Sequence, residues 1–150
     1  MKLIQPYEKY AVISLKLRNF ENKEIYIYDV ILDTGYEDQL IVKTSTFFDL
    51  ELNEWTSRRG RNIMEEDPAV IYGGAKINIP GLFSGYWKID VAAYPHNEEL
   101  REVNLLGMGL LEKMCAVFNA LASPKQLILK AIMNKRGDIH GGRDYKNYHI

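Results

Sequence analysis

Tyr26-Ile27-Tyr28-Asp29-Val30-Ile31-Leu32-Asp33-Thr34-Gly35 is the stretch on which the reading of this chain turns. Its first seven residues are rich in β-branched and aromatic side chains, which suit a buried strand. The run ends in Asp33, and Gly35 then lets the chain turn tightly. A carboxylate is therefore delivered to the end of a strand. An Asp at that place faces solvent, caps the turn or does chemistry, and the rest of the chain decides between these.

Working outward, Tyr10 to Leu17 contains an alternating stretch and reads as a half-buried strand. Arg18 to Glu24 is polar and contains Asn, so a hairpin turn is expected there. Gln39 to Val42 is a short apolar run, expected as another strand. Thr44, Ser45 and Thr46 stand as N-caps before a short amphipathic pattern ending at Leu52. Ala69 to Tyr72 and Ala75 to Ile79 are strand-like, and Gly73-Gly74 between them suggests a bulge or a close backbone approach. Pro80-Gly81 marks a turn, and Tyr86 to Tyr94 is a further strand. Leu105-Leu106 reads as a short buried strand, Gly107 as a close approach and Leu110 to Met114 as a short helix. Cys115 to Ala120, with Cys115 as a small core residue, and Gln126 to Lys130 form a closing hairpin around Ser123-Pro124-Lys125. About eight short strands and at most two short helices make a mainly antiparallel β-barrel or sandwich.

Composition narrows the function. The chain has 150 residues, 47% of them apolar, which suits one domain with a real core. Its net charge of -1 gives no global attraction to nucleic acid or acidic membrane. The single Cys115 excludes an intramolecular disulfide and a cysteine-cluster metal site. No leader-like or membrane-spanning apolar run occurs, so a cytoplasmic location is expected. His96, His140 and His149 form no spaced pair suited to a metal, and Asp33, Glu37 and Asp38 lack the alternating oxygens of a calcium loop. No metal or cofactor is expected. Arg58, Arg59 and Arg61 flank Gly60 in a basic segment, but no aromatic platform or further basic stripe accompanies them, so nucleic acid is not the expected partner. The domain is expected over 1–133, with a polar, flexible tail over 134–150.

Asp33-Thr34-Gly35 at a strand end, followed at a distance by Leu105-Leu106-Gly107-x-x-Leu110-Leu111, resembles the retropepsin-like aspartic proteases, in particular the prokaryotic single-domain members. The resemblance spans about residues 10 to 130. It implies a mainly β acid-protease barrel, one lobe per chain, with one short helix near the C-terminal hairpin. It also implies a homodimeric aspartic endopeptidase in which Asp33 from each chain forms the catalytic pair. Two carboxylates so close share one proton, so one acts as general base on water and the other as general acid. Thr34 would hydrogen-bond across the dimer and Gly35 would support the turn. Leu105, Leu106 and Gly107 would pack beneath it. A flap over a peptide substrate is expected between Leu52 and Val70, with Arg58, Arg59, Gly60, Arg61 and Asn62 at its tip; Gly73-Gly74 is the alternative tip. Tyr36 departs from the small residue common after the family's Gly. The second functional reading is therefore a dimeric peptide-binding module of the same fold with little turnover.

Overall fold

The computed structural model describes residues 2–52, 69–133 and 139–140. Its centre is a hairpin of β2 (Val12–Arg18) and β3 (Glu24–Leu32). Strict alternation along β2 turns Ile13, Leu15 and Leu17 inward. The polar turn between the strands is anchored by Asn19, which is almost fully buried. Its side-chain amide donates to the Leu50 carbonyl at 2.7 Å, and its Oδ1 accepts the Glu21 and Lys23 N–H groups at 2.9 and 2.8 Å. On β3 the register slips between Ile27, opposite Leu15, and Val30, opposite Ile13. Asp29 absorbs the extra residue in a left-handed conformation, φ 55°. Without this bulge, Ile27 and Val30 could not both face the core.

A second hairpin pairs β5 (Ile71–Asn78) with β6 (Trp87–Ala93). Asn78 holds its connection by donating to the Phe83 and Gly85 carbonyls, each at 2.8 Å. Gly73 and Gly74 lie buried in the middle of β5, opposite Val91 and Asp90 in unbroken register. They therefore form neither a bulge nor a flap tip, because both flanking segments pair with one continuous partner strand.

Two very short strands close the barrel, β4 (Leu40–Ile41) and β7 (Leu105–Leu106). The order around it is β2-β3-β7-β4-β6-β5. β3 and β4 are neighbours in sequence, yet β7 is inserted between them, parallel to β3 and antiparallel to β4. Leu106 thus becomes a fully buried residue of the core, among Ile13, Leu15, Val30, Leu40, Phe47, Ile77 and Leu110.

The helices differ in detail from the sequence expectations. α1 (Thr44–Asp49) has Lys43 as its N-cap, with no side-chain cap, so Thr44, Ser45 and Thr46 fall inside the first turn. The Thr44 N–H, one of the first-turn amides with no helical partner, is satisfied by the Arg101 carbonyl at 2.9 Å. α2 (Met108–Leu111) starts two residues before the expected Leu110. The helical path then runs through turns to Cys115, which takes φ 47°. Cys115 N–H donates to Glu112 and Ala116 N–H to Leu111, the paired closure of a left-handed helix stop. Cys115 is accordingly a half-buried turn residue, not the first residue of a core strand.

Beside the barrel lies a three-stranded sheet, β1-β9-β8, made of β1 (Lys2–Tyr7), β8 (Val117–Asn119) and β9 (Lys125–Lys130). Leu127 and Leu129 of β9 point into the main core. β1, for which no strand was expected, pairs along its whole length with β9, from Lys2 opposite Lys130 to Tyr7 opposite Lys125. After β9, β10 (Ile132–Met133) pairs with β11 (Ile139–His140), so a strand occurs within the segment expected as a flexible tail. No helix among the described residues is long and apolar enough to cross a membrane.

Candidate active site

β3 carries Asp33 to the barrel rim, and three backbone bonds fix the approach. Ile31 N–H donates to Asn104, Leu32 N–H to Ala11 and Asp33 N–H to Leu106, at 3.0, 2.9 and 2.9 Å. The last bond ends the β3–β7 ladder directly on the acid. The Asp33 carboxylate accepts the Gly35 N–H at 2.8 Å through Oδ1, and the Asp33 carbonyl accepts Tyr36 N–H at 3.3 Å. The side chain thus organises its own turn as well as facing outward. Asp33 is half-buried, while Thr34 and Gly35 are exposed. A Cβ on Gly35 would sit 3.1 Å from Asp33 Oδ1, tight against the carboxylate.

The far side of the turn is clasped by the start of α2. Gly107 N–H donates to the Gln39 carbonyl at 2.9 Å, Met108 N–H to Tyr36 at 2.7 Å and Gly109 N–H to Asp38 at 3.0 Å. Helix-start amides lacking helical partners therefore satisfy three carbonyls of the acid-bearing loop. Gly107 is there for space, not for backbone freedom, since its φ is -100°. A Cβ on it would lie 2.3 Å from the Asp38 carbonyl oxygen and 2.5 Å from Tyr36 Cδ2.

The structure therefore brings together Asp33, Thr34, Gly35, Leu105, Leu106 and Gly107 around one turn. Leu106 packs in the main core beneath it. Leu105 joins a smaller apolar cluster of Ile41, Tyr72 and Ala92 with Tyr36, Val70, Tyr94 and Leu100. Tyr36 is thus half-buried in this cluster, while Glu37 is exposed. Arg58, Arg59, Gly60, Arg61 and Asn62, the expected flap tip, lie outside the described residues.

Four supporting residues escaped the sequence reading. Gly109 backs the loop at Asp38, where a Cβ would approach to 3.0 Å. Gln39 accepts the Asp90 N–H at 2.6 Å and so ties the loop to β6. Asn104 accepts Lys43 N–H at 3.1 Å through its side chain and Ile31 N–H through its carbonyl. Ala11 receives the Leu32 N–H. Only Gly109 left a legible signal, as the second glycine of Gly107-Met108-Gly109.

Chemically, the turn presents the half-buried Asp33 carboxylate, which accepts one N–H bond, beside the exposed Thr34 and Gly35. A lone carboxylate can act as base or as acid, but not as both in one step. Among the described residues, no group of three or more His, Cys, Asp or Glu side chains is placed to hold a metal ion.

No family model matches the chain, and no curated protein matches it. Among solved structures it is similar to a retropepsin-like aspartic protease from Rickettsia conorii, with a TM-score of 0.53 and 16% identity over 86% of this chain and 89% of that one. At that identity the likeness concerns the fold: this mainly β chain, with its closed six-stranded barrel, is consistent with a retropepsin-like architecture.

Proposed function

We propose that the protein is a homodimeric aspartic endopeptidase, with Asp33 of each chain as one half of the catalytic pair. The observation that carries this reading is the placement of Asp33-Thr34-Gly35. The turn sits at the open end of β3, bonded to Leu106 beneath it and to its own Gly35 N–H, in a barrel of retropepsin-like form. The exposure of Thr34 and Gly35 supports it too, because an apposed second copy would need to reach them.

In the dimer, two Asp33 carboxylates about 3 Å apart hold a single proton between them. The ionised one removes a proton from a water held between the pair. That water attacks the peptide carbonyl carbon, and the protonated Asp33 donates to the carbonyl oxygen. Collapse of the tetrahedral intermediate breaks the C–N bond as the amine takes the proton that the first Asp33 drew from water, and a hydroxyl of the intermediate returns its proton to the second Asp33. Thr34 links the two turns, and Gly35 N–H steadies the carboxylate. No cofactor takes part, the substrate is an extended stretch of peptide and the site of action is the cytoplasm.

The test is cleavage of an unstructured peptide library by the wild-type chain and by Asp33→Asn. Pepstatin-sensitive cleavage with a bell-shaped pH profile, lost in the folded variant, is the expected result. Cleavage that survives Asp33→Asn removes the proposal. A folded wild-type dimer that binds peptides without cleaving them supports the binding-module reading instead, for which the bulky Tyr36 beside the turn is the favouring observation.

A further inference from the structure

Most of β3 is paired along one edge only among the described residues. β3 is paired with β2 from Glu24 to Ile31, but on its other side β7 joins only Ile31 and Leu32. From Ile25 to Val30 no strand among the described residues pairs with that second edge. Beside it runs a groove of about 470 Å³, lined on the β3 side by Tyr26 and Tyr28 and across from them by Lys43, Thr46, Glu102 and Asn104. The opposing wall is built, not draped. Asn104 binds both Lys43 N–H and Ile31 N–H, and Thr44 N–H binds the Arg101 carbonyl.

We propose that this edge is a strand-addition site for an extended segment of a partner polypeptide carrying a basic side chain. Four observations select that occupant. An unpaired strand edge offers backbone donors and acceptors at strand spacing, which another extended backbone matches. The open run from Ile25 to Tyr28, ahead of the bulge at Asp29, is about 13 Å long at ~3.3 Å per residue, enough for a short strand. Tyr26 and Tyr28, 40% and 69% exposed with rings 4.6 Å apart, give the added strand an aromatic surface to lie against. The exposed charges in the groove are Asp29 and Glu102 against Lys43, an acidic excess that favours a lysine or arginine on the partner and opposes phosphate. The left-handed Asp29 and the β3–β7 junction mark where the added strand stops. The site is separate from peptide hydrolysis and stands whether or not Asp33 is catalytic.

The probe is a ten-residue peptide alternating valine and lysine, added to the full chain carrying Asp33→Asn so that no hydrolysis intervenes. Hydrogen exchange and fluorescence anisotropy are the readouts. The expected result is slowed exchange over Ile25–Tyr28 on adding peptide. Binding should weaken about tenfold or more when alternate peptide nitrogens are methylated, a loss of about 1.4 kcal/mol. Glu102→Lys should weaken the lysine peptide and favour its glutamate counterpart. Equal binding of the methylated peptide, protection elsewhere, or no protection at millimolar peptide overturns the proposal. So does protection without peptide: if it grows with protein concentration a second copy fills the edge, and if it is constant the chain covers its own edge.

Discussion

Replacing Gly107 by Ala is the sharpest test of how the acid-bearing loop is held. The added methyl would stand 2.3 Å from the Asp38 carbonyl oxygen, 2.5 Å from Tyr36 Cδ2 and 2.6 Å from the Tyr36 carbonyl oxygen. Ordinary contact needs about 3.4 Å or more, so loop and helix must part by about 1 Å. Two of the three contacts are backbone atoms of the loop, held by the amides of Met108 and Gly109. Parting therefore strains or breaks these bonds and that of Gly107 to Gln39. Each is worth about 1 kcal/mol net, and overpacking costs about 1–3 kcal/mol more. The sum is about 4–6 kcal/mol if all three bonds are lost, a large share of the roughly 5–15 kcal/mol that keeps a domain folded. Urea unfolding of Gly107→Ala beside Gly85→Ala measures it. Gly85 has nothing within 4 Å of its added Cβ, so that variant should change stability by no more than about 0.5 kcal/mol. A Gly107→Ala loss below about 1 kcal/mol would refute the clasp, because the loop would then yield without cost.

Two further substitutions probe other parts of the frame. Asn19→Ala removes three hydrogen bonds from a buried turn and leaves the Leu50 carbonyl and two N–H groups without these partners; thermal unfolding should show a loss of about 2–4 kcal/mol. Lys113 is buried over the Trp87 ring, 4.0 Å from ammonium to ring centre, and burial pulls its pKa down to about 8, with Asp90 opposing the shift. The unfolded chain then holds more protons than the folded one between pH 8 and the ordinary value of 10.5, so stability should rise with pH across that window, and the penalty is full below it. Lys113→Met should flatten this rise and stabilise the protein at neutral pH by about 1–2 kcal/mol, once the Trp87 contact and residual hydration of the ammonium are allowed for. Equal stability of variant and wild type at pH 7 would contradict it.

The acid-bearing strand was legible because its signal is local: a β-branched and aromatic run, then Asp, then Gly. The Leu105-Leu106 strand was legible as a buried pair ahead of a glycine, although its place between β3 and β4 rests on tertiary contacts. What local pattern could not show was settled elsewhere in the chain. β1 contains Lys2 and Pro6 and has little apolar alternation, and its strand form comes from pairing with β9. The first amide of α1, at Thr44, finds its partner across the fold at Arg101, and the N-cap falls on Lys43. Cys115 adopts a conformation usually given to glycine, so its type misdirected the reading. Gly73-Gly74 punctuates a sequence but not this strand, because Val91 and Asp90 hold both residues in the ladder. Gln39 and Asn104 have ordinary polar side chains whose bonds reach across the fold, and no spacing rule singles them out.

In the proposed dimer, one active site needs two copies of Asp33. Wild-type and Asp33→Asn chains refolded together at varied ratios test it most directly, with total protein held constant and peptide cleavage as the readout. Activity should fall with the square of the wild-type fraction, since only dimers with both carboxylates would turn over. A linear fall, which means that each chain works alone, would contradict it, as would activity that does not depend on Asp33.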